Sequence, residues 1–224
     1  AGAHLARATT KVRCTTRTHL ATLPTSNAVR LVLASKSPSR RMLLEQGGVS
    51  PLLRPANIDE DALIASLGDT APADVVAALA RAKADAIAPG HPDDVVIGCD
   101  SMLLLDGELL GKPHTVEATI ERWRAQRGRT AHLLTGHAAT YRGEWVQHTV
   151  RTAIQFGDVS DTDIEAYARS GQPLECAGAF TLEALGSWFI DSIDGDPTSV
   201  IGLSMPFLRR ALYQFGLDAS AFWD

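Results

Sequence analysis

The sequence contains little cysteine, and none of it in the spacings that build disulfide frameworks or zinc sites. Its three cysteines, Cys14, Cys99 and Cys176, lie far apart and form no CxxC pair. An odd number at such distances argues against disulfides and zinc, and it indicates a reducing compartment. No apolar run approaches the ~20 residues that a membrane helix needs, so we expect no membrane partner.

The motifs of several large enzyme classes are also missing. The sequence has no GxxxxGK[ST], no GxGxxG and no GxSxG, and its seven histidines include no HExxH. A P-loop NTPase, a Rossmann dehydrogenase and an α/β-hydrolase therefore lose their usual sequence support.

Basic residues are scarce outside the N-terminal region. Residues 1–29 hold four of the 21 basic residues and none of the 26 acidic ones, so the rest of the chain is clearly acidic. This charge argues against nucleic acid as a partner. If the protein handles phosphate groups, it must do so with a few well-placed basic side chains.

The composition places a domain boundary near residue 30. Residues 1–29 are rich in Ala, Thr and Arg and show no clear helical stripe. We expect a disordered or mis-assigned N-terminal extension there, although transit peptides share this composition. Residues 30–224 contain no internal repeat or linker, and we predict one domain over that range.

Apolar periodicity and turn signals predict mixed secondary structure over residues 30–224. Helices are predicted at residues 37–47, 71–88, 115–128, 161–169 and 204–215, and strands at 31–35, 95–99, 102–105, 108–110, 131–141, 145–156 and 187–193. Residues 51–62 are predicted to be irregular. Because hairpins make part of the sheet antiparallel, we predict an α/β (mixed α+β) fold with a mixed sheet.

The segment from Ser35 to Arg41 links the first strand to the first helix and carries hydroxyl and basic side chains. The free N–H groups and the positive dipole end at a helix N-terminus suit an anion. Ser35 and Ser37 could donate to a phosphate, and Arg40 or Arg41 could bind it through two hydrogen bonds. The segment alone is more typical of a capped surface helix with solvated arginines.

Two acidic positions could support metal or proton chemistry. Asp59, Glu60 and Asp61 are consecutive acids that could hold Mg²⁺, or could form a solvated loop. Asp100 follows a buried strand, where a metal ligand or general base is often found, but also where an acid can pair with a nearby base.

Two lysines give weaker signals. Lys83 lies on the Ala-rich predicted helix, where a single lysine is usually solvated. Lys112 lies between Gly111 and Pro113, two residues typical of loops, which would fix a basic side chain in place there.

Taken together and in order, these segments resemble the Maf family over about residues 30–215. The resembling stretches include LVLASKSPSRRMLL from Leu31, Ile58–Glu60, Leu79–Ala84, Val96–Asp100, Gly111–Pro113, Gly128–Arg129, Thr135–Gly136, Ala177–Phe180 and Val200–Leu203. The resemblance implies an inosine triphosphatase-like fold, with an elongated mixed sheet flanked by helices and a cleft between two lobes.

The resemblance also implies roles for individual residues. Ser35, Ser37 and Arg40 match the family's phosphate-binding positions, with Arg41 ranked second. Asp100 matches its proton acceptor. Glu60 matches its acidic site position, and Lys83 and Lys112 match its two lysines.

The implied protein is a cytoplasmic homodimer that requires a divalent cation, Mg²⁺ or Mn²⁺. It would act on a nucleoside triphosphate as its substrate and release pyrophosphate. The resemblance also suggests links to the exclusion of wrong nucleotides and to division arrest. The alternatives are a nucleotide-binding regulator of septum formation without turnover, and a phosphatase that releases orthophosphate.

Two positions bear on the nucleotide base. Glu183 matches the subgroup of the family that acts on 7-methyl-GTP, in which a carboxylate could accept hydrogen bonds from guanine N–H groups. Ser101 departs from this subgroup, which usually has Gln there, and from the many members with Thr. Glu183 could instead be a structural acid.

In the predicted mechanism, Asp100 takes a proton from the water that attacks the α-phosphorus, or holds that water on Mg²⁺. The metal, which Glu60 would also approach, would neutralise the developing charge. Arg40, Lys83 and Lys112 would hold the polyphosphate and stabilise the pyrophosphate leaving group.

Overall fold

A computed structural model describes residues 28–224, so the extension predicted for residues 1–29 falls almost wholly outside the described residues. The elements follow in the order β1 (Leu31–Leu33), α1 (Pro38–Gln46), β2 (Leu52–Leu53), α2 (Glu60–Leu67), α3 (Pro72–Ile87), β3 (Val95–Leu105), β4 (Glu108–Leu110), α4 (Val116–Gln126), β5 (Thr130–Tyr141), β6 (Glu144–Phe156), α5 (Asp161–Arg169), β7 (Ile190–Asp194), α6 (Pro197–Ile201) and α7 (Met205–Gln214).

The strands form one mixed sheet, which confirms the predicted fold class. Their order is β2-β1-β3-β5-β6-β7, with β4 pairing to β3. The pairs β1–β2 and β1–β3 are parallel, and the other pairs are antiparallel. The two lobes and the cleft that the family resemblance implies stay a prediction.

Hydrophobic clusters cover both faces of the sheet. Beside α3 the contacts are made by small side chains, including Ala80, Ala84 and Ala138. The opposite face packs against α7 through Leu33, Ile97 and other apolar side chains. A third cluster, centred on Trp123 and Phe156, joins α4 and α5 to the far end of the sheet. Nowhere in residues 28–224 does a helix have the length and apolar character needed to cross a bilayer.

The structure corrects the sequence prediction in two regions close to the acids. The strand predicted to end at Asp100 continues to Leu105, because β5 pairs with it from Val96 to Leu104. The segment predicted to be irregular contains β2 and the start of α2. The side chain of Asp59 caps α2 by accepting a hydrogen bond from Ala62 N at 2.9 Å. An Asp at this position is a typical start signal for a helix. The short helix α6 was not predicted either.

His137 is a fully buried titratable group in β5. Its ring packs on Phe207 at 4.9 Å, and its Nε2 accepts from Ser204 N at 2.8 Å. Burial, helped by the charge of Arg40, lowers the pKa of His137 to about 4. The folded protein therefore holds this imidazole neutral at pH values where an unfolded chain protonates it.

This difference predicts a loss of stability in mild acid. As the pH falls from about 6.5 towards 4, the unfolded state takes up a proton that the folded state does not, which costs up to about 3 kcal/mol. In urea titrations across this range, His137→Gln should lack that part of the pH dependence. His148→Gln, which changes the exposed cross-strand partner, should keep it. Equal slopes for the wild type and His137→Gln would contradict the prediction.

Candidate active site

The middle of β3 has a strand neighbour on only one side. On the side away from β5, β1 pairs with residues 95–97 and β4 pairs with residues 103–105. Residues 98–102 between them face a gap in the sheet. Asp100 and Ser101 lie in this stretch, whose backbone has no strand partner on that side.

Three charged side chains meet at Asp100. Lys83 Nζ on α3 donates to Asp100 Oδ1 at 2.8 Å and lies 3.1 Å from Glu60 Oε1 at the start of α2. The Lys83 side chain is only 12% exposed, so the expectation that a helical lysine is solvated is wrong for this residue. The structure thus brings together three of the predicted site residues, from three different elements.

Asp100 is a buried carboxyl group with one free oxygen. Its Oδ2 is buried and has no hydrogen-bond partner among the described residues. Burial raises the pKa of Asp100, while the charges of Lys83 and Arg40 act in the opposite direction. A carboxylate of raised pKa with an unoccupied oxygen is suited to accept a proton.

Two glycines allow α3 to lie close enough to the sheet for the Lys83–Asp100 contact. A Cβ at Gly98 would lie 2.2 Å from Ala80 O, and one at Gly136 would lie 2.3 Å from Val76 O. Gly136 is the β5 partner of Asp100, so the close approach occurs beside the acid. Any larger side chain at these positions would displace the helix that carries Lys83.

Arg40 lies near the same gap and is 9% exposed. Its Nε donates to Gly202 O at 2.6 Å, and its two terminal nitrogens donate to Ser35 Oγ at 3.1 Å and Ser101 Oγ at 3.2 Å. Within residues 28–224 no carboxylate forms an ion pair with it. A buried guanidinium without a carboxylate partner can bind an anion.

The N-terminus of α1 lies beside Arg40 and was predicted correctly. The side chain of Ser37 caps the helix by accepting from Arg40 N at 3.4 Å, and Pro38 is the first helical residue. A cavity of about 300 Å³ opens here, lined by Ser35, Lys36, Ser37, Pro38, Arg41, Leu53 and Pro55. Two hydroxyls, of Ser35 and Ser37, and two cations, Lys36 and Arg41, therefore line one cavity at the positive end of a helix, which suits an anion.

Glu183 also reaches α1. Its Oε1 accepts from Ser39 Oγ at 3.0 Å, although the two residues lie 144 positions apart. Its Oε2 is buried without a hydrogen-bond partner among the described residues. The carboxylate is therefore held in place while one oxygen stays free to accept.

Among the described residues, Arg41 and Lys112 form no ion pair with Asp100 or Glu60. Arg41 is exposed and forms an ion pair with Glu45 at 2.6 Å, at the border of the cavity. Lys112 is exposed, and in the described part of the chain it makes no hydrogen bond or ion pair. Its charge acts on Cys176, as does that of Glu183, so both lie near this thiol.

The acids fit a divalent cation that takes few protein ligands. Within residues 28–224 no group of three or more His, Cys, Asp or Glu side chains could hold a metal alone. Mg²⁺, however, often uses one or two carboxylates together with water and substrate phosphates. The free, buried Oδ2 of Asp100 and the neighbouring Glu60 satisfy that requirement.

Sequence reasoning did not assign Ser39, Gly202 or Thr135 to the site, and it treated Ser101 only as a departure at the base-specificity position. Their roles depend on contacts between residues distant in sequence, such as Arg40 with Gly202 and Ser39 with Glu183. No local spacing signals such contacts.

The whole site lies within the part of the chain that resembles known proteins. The family described as Maf-like protein matches residues 30–215. The nucleoside triphosphate pyrophosphatase of Corynebacterium efficiens is 68% identical over 195 residues, which cover 87% of this chain and 99% of that protein. Proteins of the same name from Corynebacterium diphtheriae and Nocardia farcinica are 64% and 50% identical, over 88% and 86% of this chain and 99% and 96% of their own lengths.

The close approach of α3 can be tested with an added methyl group. Gly98→Ala should lower the free energy of unfolding by about 1–3 kcal/mol, because its Cβ would overlap backbone atoms of α3. Gly90→Ala is the matched control, since a Cβ there meets nothing within 4 Å. Urea denaturation measures both, and equal midpoints for the two variants would contradict the assigned contact.

Proposed function

The chain belongs to the Maf family of nucleoside triphosphate pyrophosphatases, and we propose that it cleaves its substrate between the α- and β-phosphates with Asp100 as the proton acceptor. Two observations together carry this assignment. Asp100 is a buried carboxylate with one free oxygen, and Arg40 is a buried guanidinium that forms no ion pair among the described residues. The first can take a proton from water, and the second can bind a phosphate.

Asp100 is prepared for proton transfer by opposing effects. Burial raises its pKa and makes the carboxylate a stronger base, while Lys83 and Arg40 favour its ionised form. Lys83 holds Oδ1, which leaves Oδ2 to face the water. This oxygen receives the proton as the water attacks the α-phosphorus.

The polyphosphate is bound on the side of α1. Arg40 and the N-terminus of α1 hold phosphate oxygens, with the hydroxyls of Ser35 and Ser37 as further donors. Arg41 and Lys112 contribute charge from the border of the site. These fixed donors and charges bind the phosphates in the substrate, in the transition state and in the pyrophosphate that leaves.

Glu60 and Asp100 are the residues that would hold a divalent cation, Mg²⁺ or Mn²⁺, with Asp100 holding it through the water whose proton Oδ2 accepts. The cation would supply positive charge to offset the charge that develops on the phosphate oxygens. In the structure, the Lys83 ammonium lies between the same two carboxylates and limits their mutual repulsion.

Glu183 is the residue that we assign to the nucleotide base. Its free Oε2 accepts hydrogen bonds, and guanine offers two neighbouring N–H donors where uracil and thymine offer one. We therefore extend the proposal to a guanine-type substrate such as 7-methyl-GTP. The homodimer, the cytoplasmic location and the link to division arrest stay predictions from the family resemblance.

Replacing Asp100 tests the chemistry. Asp100→Asn should lower pyrophosphate release by about 10²–10⁴-fold, because the amide cannot accept the proton. Asp85→Asn, which changes an exposed acid on α3, should keep wild-type activity.

Circular dichroism checks that both variants fold. Near wild-type turnover by Asp100→Asn would contradict the assignment. Binding without turnover in the wild type would instead favour a nucleotide-binding regulator, and release of orthophosphate would favour a phosphatase.

Replacing Glu183 tests the base. Glu183→Gln should lower kcat/KM for 7-methyl-GTP by roughly tenfold or more and change that for UTP and dTTP less, because one acceptor oxygen becomes a donor amide. The measurement is pyrophosphate release from a panel of normal and modified triphosphates. Equal losses for all nucleotides would give Glu183 a structural role through Ser39.

A further inference from the structure

The buried guanidinium of Arg40 is surrounded by oxygens that carry no formal charge. Its partners are a carbonyl, Gly202 O, and two hydroxyls, Ser35 Oγ and Ser101 Oγ. Burying a cation is costly unless polar groups replace its lost water. The orientation of these hydroxyls therefore matters for where the charge lies and how firmly it is held.

One of the hydroxyls begins a chain of hydrogen bonds that runs from β3 to the neighbouring strand β5 and on to α6. Ser101 Oγ lies 3.0 Å from Thr135 Oγ1 on β5, and Thr135 Oγ1 donates to Ser199 O on α6 at 2.9 Å. Thr135 is fully buried. The chain thus connects Arg40 to α6 through two side chains.

The two ends of the chain fix the direction of every hydrogen bond in it. A guanidinium can only donate, and a backbone carbonyl can only accept. Thr135 uses its one hydroxyl hydrogen on Ser199 O, so Ser101 must donate to Thr135. Ser101 then presents only lone pairs to Arg40. The negative ends of both hydroxyl dipoles point towards the guanidinium and stabilise its buried positive charge.

Asp196 holds the end of this hydrogen-bond chain that lies at α6. Asp196 Oδ1 caps α6 by accepting from Thr198 N at 2.9 Å and Ser199 N at 3.3 Å. Ser199 Oγ in turn donates to Asp196 O at 2.8 Å. The α6 segment therefore fixes Arg40 twice, directly through Gly202 O and indirectly through Thr135 and Ser101.

We propose that Thr135 is a positioning residue, which acts through Ser101 to orient Arg40 towards the phosphates of the substrate. Thr135 is fully buried, and Ser101 lies between it and the guanidinium. Carboxylates would offset the charge of Arg40, but its side-chain partners are uncharged hydroxyls. Its whole positive charge therefore stays available to a phosphate. The inference rests on the proposed function, which makes the ligand of Arg40 a polyphosphate.

The first test is Thr135→Val, which keeps the shape and removes both hydrogen bonds. We expect the KM for the nucleotide and the inhibition constant of pyrophosphate to rise roughly tenfold, with kcat changed less than about threefold, since Arg40 binds phosphate in ground and transition states alike. The matched control is Thr140→Val. Thr140 is a buried threonine on the same strand whose hydroxyl also donates to a backbone carbonyl, Glu144 O, but has no connection to Arg40. It should keep the wild-type KM.

Two further variants separate positioning from loss of structure. Thr135→Ser restores the hydroxyl and should restore the KM. In an Arg40→Met background, adding Thr135→Val should change the affinity for pyrophosphate less than about twofold, because the residue that the chain positions is gone.

If Thr135→Val does not fold, Ser101→Ala breaks the same chain of hydrogen bonds nearer the surface. It should raise the KM for the nucleotide by a similar factor. A wild-type KM in Thr135→Val, or full additivity with Arg40→Met, would overturn the proposal. Calorimetric binding of pyrophosphate to the same variants keeps this outcome separate from a failure of the proposed function, since it requires no turnover.

Discussion

Helix α3 lies against the sheet at a distance that only glycine permits on the strands beneath it. Gly98 and Gly136 present no side chain to the helix, and Ala80 and Ala84 line the facing side of α3. This contact determines how deep Lys83 lies and how far its ammonium stands from Asp100. A buried carboxylate is tolerated when a cation and hydrogen bonds compensate for its lost water, so the glycines make a buried acid possible at this place.

The break in strand pairing beside β3 supplies the second condition. A carboxylate in the centre of a fully paired sheet would be closed to a substrate, whereas one at a free edge would be fully solvated. Because β1 and β4 pair with the two ends of β3 and leave residues 98–102 between them, Asp100 lies under α3 and beside an unpaired strand edge. Helix α1, which follows β1, brings Arg40 to the neighbouring Ser101.

The sequence supported the local parts of this site better than the contacts between them. The strand–Ser–Pro pattern predicted the capped helix at Ser37, and the apolar run before Asp100 marked that acid. Lys83 looked solvated because nothing in its own helix reveals that the sheet beneath is lined with glycine. The link from Arg40 through Ser101 to Thr135 joins three elements, and its existence depends on tertiary packing that no local spacing encodes.

The positive charges of Lys83 and Arg40 are compensated by different kinds of group. This difference determines the electrostatic potential around a bound polyphosphate. Lys83 lies between Glu60 and Asp100, so those three groups together keep a net negative charge. Arg40 is surrounded by hydroxyl and carbonyl oxygens and keeps its positive charge. Since the whole chain carries a net charge of −5, long-range steering of an anion is weak, and attraction must act within about 10 Å of the Arg40 side. On the other side the two carboxylates would repel the α-phosphate. A divalent cation there would therefore have a clear electrostatic role, because its charge would offset that of the two carboxylates and let a phosphate approach them.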